Sequence, residues 1–300
     1  MSDQIAGPLP AGGERLHAAV AIGKRRLFEG LIHPGFYIAL TLSLAIAYAF
    51  VSAFIRSIDS SGFNYTMTPL YTFAGGLLAG AFGQAVLAKL FADGPFLFAV
   101  NVAFLPMLLY LSMTSVYRFG TEKISGAIEL LAYGPADGTS YFFASMLKDL
   151  VLTLLTLVAF LVFFLAAGAV ENIAVTARLF DALLLLLLSS LAIYAWGVLV
   201  SAVTDSANSA LAIFLAGFVV LVVSLVGSYA IVSGYVQSLS AVAAWVIQWF
   251  SPFYYWSIGT RATIAGEGGL YVLGAVGLLV LTAALLVGSH FIIRQRGVRP

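Results

Sequence analysis

The stretch YRFGTEKISGAIELLAYGP (117–135) gathers two carboxylates, Glu122 and Glu129, and two cations, Arg118 and Lys123, between long apolar runs. On a helix Glu122, Gly126 and Glu129 fall at i, i+4 and i+7, so they share one face. Ile124, Ile128 and Leu131 have the same spacing on the opposite face. The chemistry of such a helix is docking: an acidic face accepts charge-assisted hydrogen bonds from Arg or Lys on a partner or on neighbouring helix ends. Gly134-Pro135 ends the helix, because proline cannot continue it and restricts the residue before it. Asp137 or Thr139 can then cap a second short helix that leads to Lys148. The alternative is a connection that folds back on the bundle and meets no partner.

Other chemistries find little support. No GxxxxGK[ST] phosphate loop occurs, so ATP hydrolysis is not expected of this chain, and there is no HExxH. The chain has no cysteine and three histidines, His17, His33 and His290, which are scattered near expected membrane edges. No metal site and no catalytic residue is assigned. Ser189, Ser190 and Ser224 lie inside apolar runs, where a hydroxyl commonly packs helices or bonds a backbone carbonyl.

The elements that must position the 117–135 stretch are membrane helices. The 300 residues are 62% hydrophobic and 9% charged, against about a quarter charged in a soluble domain. Mean hydropathy is +1.04. Apolar runs of about twenty residues read as spans, and they fall near 35–55, 96–116, 146–169, 181–203, 209–232 and 270–292. The expected fold is all-α: a polytopic membrane protein of about six transmembrane helices. The net charge of +1 gives no pointer to nucleic acid.

Six spans put both termini on one side. Of the 14 Lys and Arg residues, Arg56, Lys89, Arg178 and Arg261 fall outside and the rest inside if the termini are cytoplasmic, which is the orientation the basic residues favour. Residues 1–13 read as a disordered segment. Residues 14–34 read as a cytoplasmic interfacial helix, with Leu16, Val20, Gly23, Leu27 and Leu31 on one stripe and Arg15, Lys24, Arg25 and Arg26 off it. Residues 35–300 form one transmembrane domain, with 117–145 as its sizeable cytoplasmic loop. Residues 70–92 and 238–262 are expected as re-entrant or interfacial helices on the outer face, the latter for its Trp and Tyr content; a seventh span at 70–92 is the alternative. The span middles are nearly free of ionisable groups, with Asp149, Asp181 and Asp205 at or beyond span ends. An ion-coupled carrier usually needs intramembrane carboxylates or histidines, so energy is expected to arrive from another subunit.

The sequence EKISGAIELLAYGP resembles the E-x-x-x-G-T-L-E-x-L-L-x-x-P motif of ABC-2-type transporter permeases. Glu122, Gly126, Glu129, Leu131 and Pro135 match in register; Ala127 stands where Thr is usual and Ser125 where a basic residue is common. SPFYYWSIGTRA (251–262) is similar to the family's Pro–hydrophobic–Arg segment before the last helix, through Pro252 and Arg261. The resemblance implies a membrane-spanning half-transporter, in most relatives an exporter of a prokaryotic inner membrane. It implies a second permease chain, identical or paralogous, and a separate cytoplasmic ABC ATPase subunit that holds the ATP and Mg. Residues 136–142, with Asp137 and Tyr141, would be the coupling helix seated on that ATPase. By the same analogy spans 35–55 and 209–232 flank the pathway, with Phe50, Phe54, Phe214 and Phe218 as lining candidates; ordinary packing is the alternative for each. The rival functions are an ion-coupled secondary carrier and a non-transport anchor or assembly subunit of a cytoplasmic complex.

Overall fold

The computed structural model describes residues 12–59, 62–63, 68–73, 94–125, 138–232 and 249–296. The first eleven residues, which include most of the expected disordered segment, and most of 70–92 lie outside them. The described chain is a helical bundle. Helix α1 spans Gly12–Ile32 and α2 Pro34–Arg56. A two-residue ladder, β1 (Ile58–Asp59) with β2 (Gly62–Phe63), follows α2. Then come α3 (Phe96–Ala103), α4 (Leu105–Ile124), α5 (Gly138–Glu171) and α6 (Arg178–Val203). Helices α7 (Ala207–Val232), α8 (Pro252–Ala265) and α9 (Gly268–Arg296) complete the order.

The helix ends follow local chemistry. His33 caps α2: its Nδ1 accepts from the Gly35 amide at 3.1 Å, and Pro34 takes a position where no amide is needed. Helix α4 begins at Leu105, directly after Phe104, with Pro106 in its first turn, so α3 and α4 run on as one apolar rod with an irregular join, since proline withholds a ladder donor. Helix α5 stops at Asn172, whose φ of 52° is left-handed; the Ile173 amide then reaches back to the Gly168 carbonyl at 2.9 Å. Helix α8 stops the same way at Gly266, φ 77°.

Among the described residues α2, the α3–α4 rod, α5, α6 and α9 are long and apolar enough to cross a membrane. Helix α7, of 26 residues, occupies the position of the remaining expected span. The protein is an all-α polytopic membrane protein. Helix α6 is the central post, with buried residues along its whole length and neighbours α3, α4, α5, α7, α8 and α9. Helix α9 lies outermost, with Leu273, Val276, Val280 and Val287 all exposed. Such apolar exposure is what a lipid-facing helix presents.

In lipid, helix association draws on close packing more than on the hydrophobic effect. Small residues accordingly stand at the contacts. A Cβ on Gly274 of α9 would come within 2.8 Å of the Tyr255 carbonyl and 2.9 Å of the Gly259 amide of α8, so these two helices meet backbone to backbone. A core of large rings fills the centre, including Phe98, Phe104, Phe160, Phe164 and Tyr194.

Helix α5 differs from the expected pattern. Residues 138–142 are not a separate short helix but the first turns of α5, which continues unbroken to Glu171. No proline interrupts this stretch, and propagation adds a hydrogen bond per residue once a helix has begun. Asp149 therefore lies about three turns inside a helix, where it is fully buried.

Candidate functional site

The last turns of α4 carry the first part of the acidic stretch. Here Arg26 of α1, Glu122 of α4 and Ser145 of α5 come together. The Arg26 guanidinium pairs with the Glu122 carboxylate and donates to Ser145 Oγ at 2.7 Å. Arg26 is 13% exposed in its side chain and Glu122 30%, so the pair is partly removed from water and has more weight than a surface bridge. Glu122 and Ser145 flank the connection between α4 and α5. One side chain thus fastens both ends of that connection and joins them to α1.

Arg26 reaches this place because α1 lies on α5 through small residues. Ala19, Gly23, Arg26 and Gly30 share a face, and a Cβ on Gly23 would stand 3.4 Å from the Ala144 carbonyl. Arg26, off the apolar stripe with Arg15, Lys24 and Arg25, differs from its neighbours. It faces the bundle, while Lys24 and Arg25 are exposed. Of the apolar stripe, Gly23 is buried and Leu27 and Leu31 pack against the core, while Val20 is exposed. Ala19 and Gly23 are the small residues of the buried face.

Two further cations brace the end of α4. Lys123 Nζ donates to the Thr204 carbonyl at 2.8 Å and to the Ala202 carbonyl at 3.1 Å. These are the unsatisfied acceptors at the end of α6, where a cation is favoured by the helix dipole. Arg118 stands 3.7 Å from Glu29, which also receives a hydrogen bond from Arg25. At Gly120 a Cβ would be 2.9 Å from the Ala207 Cα, so the start of α7 touches the α4 backbone. The end of α4 is therefore tied to α1, α5, α6 and α7 at once.

One turn deeper lies a buried polar group. Lys148 Nζ is 2.8 Å from Asp149 Oδ1, with side-chain exposures of 7% and 1%. Ser115 Oγ of α4 donates to Asp149 Oδ2 at 2.7 Å. Thr153 Oγ1 contacts the Tyr194 hydroxyl of α6 at 2.9 Å and donates to the Asp149 carbonyl. Buried charge survives in such a place only when paired and hydrogen-bonded.

Of the acidic-stretch residues, Glu122 is in this cluster. Gly126, Glu129, Leu131, Pro135 and Asp137 lie outside the described residues, and Tyr141 falls in the first turn of α5. Phe50, Phe54, Phe214 and Phe218 are all buried within the protomer. Phe50 packs edge-on to Phe98 at 5.0 Å, Phe214 lies 4.9 Å from Trp196, and Phe218 is edge-on to Phe253 at 5.2 Å. Pro252 is buried at the first turn of α8, and Arg261 lies on the same helix, partly exposed.

Sequence reasoning missed Arg26, Ser145 and Lys148 as members of one site. The available signal was the small-residue stripe Ala19, Gly23, Gly30, which has the spacing of a close helix contact and which contains Arg26.

A family model described as an ABC-2 family transporter protein matches residues 91–288. The chain belongs to this family. The match runs from the segment before α3 into α9 and includes the α4–α5 connection, while α1 and α2 precede it. No curated protein matches the chain. The ABC-2 protein described here is thus a membrane-embedded permease component of an ABC transporter, a class that works with an ABC ATPase subunit.

Proposed function

We propose that this ABC-2 permease is the membrane half of an ATP-driven exporter. Two such chains, identical or paralogous, form the pathway, and a separate cytoplasmic ATPase that holds ATP and Mg acts on segment 117–145, the end of α4, the connection and the start of α5. Both termini are cytoplasmic, in a prokaryotic inner membrane. The observation that carries the reading is the Arg26 clasp. Glu122 and Ser145 bracket the connection on which an ATPase would press, and one guanidinium binds both. A displacement of that connection is then delivered to α1, α4 and α5 together rather than absorbed by a slack loop. The Lys123 bonds to the end of α6 extend the path to the central helix.

The test is co-purification of the tagged full-length chain from mild detergent, beside a variant with Glu122→Lys and Glu129→Lys. An ATPase subunit should come down with the parent chain. In the variant it should be lost, or retained with ATPase activity no longer responsive to the permease. Absence of any ATPase under several mild conditions would reject the transporter reading and favour an anchor or an ion-coupled carrier.

A further inference from the structure

A cavity of about 440 Å³ opens between α1, α2, α4, α5 and α7, beside the Arg26 clasp. That is within the size range of small-molecule sites, about 300–1,000 Å³. Its polar lining is cationic or neutral: Arg118, Lys148, His33, Tyr110, Tyr117 and Thr114, with no carboxylate among the lining residues. Its walls are otherwise apolar, with Leu111 of α4, Leu152 of α5 and Leu211 of α7. We propose that this cavity binds an anionic amphiphile from the bilayer, with Arg118 and Lys148 taking a phosphate or carboxylate head and the alkyl chain lying along Leu111, Leu152 and Leu211.

The two cations are built for an anion. Glu29 and Asp149, which neutralise them, do not line the cavity. The contact of Arg118 with Glu29 is 3.7 Å, too long for a good hydrogen bond, and a guanidinium has five donors in a planar fork suited to phosphate. Lys148 has three donors, and the pair with Asp149 uses one. Burial of a lysine at an apolar-walled cavity is costly unless its donors find partners. Tyr117 is exposed and marks the rim, and α4 is a membrane-spanning helix, so the site is reached at the membrane boundary. A small soluble anion would leave the apolar walls unused, and a neutral lipid would leave the cations unmatched.

The experiment is native mass spectrometry of the full-length chain, released from neutral detergent micelles doped with equal amounts of phosphatidylglycerol and phosphatidylcholine. It needs no ATPase and no second chain, so its result is separate from that of the coupling test. Preferential retention of one phosphatidylglycerol is expected. Arg118→Gln should lower that retention about tenfold or more, the scale of one lost charge-assisted hydrogen bond. Leu211→Trp keeps both cations but fills the chain-binding wall, and it should also lower retention; it decides the matter alone if the Arg118 variant does not survive purification. Equal retention of phosphatidylcholine, or unchanged retention in both variants, overturns the proposal. Displacement of phosphatidylglycerol by inorganic phosphate would identify a soluble-anion site and overturn it as well.

Discussion

The Arg26–Glu122 pair makes a quantitative prediction about how α1, α4 and α5 are joined. Replacing Arg26 by Gln removes the ionic partner of Glu122 and the donor to Ser145 Oγ. A hydrogen bond to a charged group contributes about 1.5–3 kcal/mol. Glu122 is 30% exposed, so water recovers part of the loss and the low end, about 1.5 kcal/mol, is expected. Glu122→Gln should cost a similar amount. The double variant should cost little more than either alone, with a coupling energy of about 1 kcal/mol, because neighbours in one network do not add. Thermal unfolding of the four proteins in one detergent gives the cycle, and permease-stimulated ATPase activity of the reconstituted complex gives the functional arm. Both single variants should lower that stimulation while remaining monodisperse. Additive melting losses would refute the reasoning, since Arg26 and Glu122 would then act independently and the clasp would join nothing.

The buried pair behaves differently. Asp149→Ala leaves Lys148 buried without its carboxylate and the Ser115 hydroxyl without its acceptor, which should cost about 3–5 kcal/mol. The apolar pair Lys148→Met with Asp149→Leu should recover most of this in a thermal melt; failure to recover any would contradict the desolvation argument. Gly274→Ala must push α8 and α9 apart, because its Cβ would meet backbone at 2.8 Å, and overpacking of this kind costs about 1–3 kcal/mol. Gly269→Ala, with nothing within 4 Å, should leave the melting temperature near that of the parent; equal losses at the two positions would count against a backbone contact. Finally, Glu129→Lys should weaken coupled ATPase activity while membrane insertion is kept, and unchanged transport in that variant would remove Glu129 from the coupling path.

The helices were legible because membrane helices announce themselves by length and hydropathy alone. The run AAVAIGKRRLFEG shows what was not. Gly23, Leu27 and Leu31 of the apolar stripe are packed, yet Val20 on the same stripe is exposed and Ala19, off it, is buried. A soluble amphipathic helix buries its large side chains. In or beside lipid the large ones can face outward and the small ones make the contact. Arg26 followed from the same error, since a charge on a small-residue face does not look buried until its partner, 96 residues away, is in place. The resemblance implies a separate coupling helix over 136–142 ahead of a span at 146–169, but no proline or glycine cap lies between them and one helix runs from Gly138 to Glu171. Of the acidic motif, Glu122 stands at the end of α4; Gly126, Glu129, Leu131 and Pro135 lie outside the described residues.

Two places in the bundle share close glycine contacts but differ in what is added to them. Around α8 and α9 the contacts are backbone on backbone, through Gly259 and Gly274, and van der Waals contact of that kind loses about a quarter to a half of its strength when the surfaces separate by about 0.5–1 Å. Around the end of α4 close contacts of the same kind, Gly120 against the Ala207 backbone and Gly23 against Ala144, are joined by long side chains: Arg26 to Glu122 and Ser145, Lys123 to the end of α6, Arg118 toward Glu29. Long cationic side chains can keep a partner while the helix beneath them shifts, because several rotamers reach the same acceptor. The α4 end thus combines both kinds of contact, and the loss of one ion pair there leaves the glycine contacts in place, which is why the Arg26 and Glu122 variants are expected to remain folded.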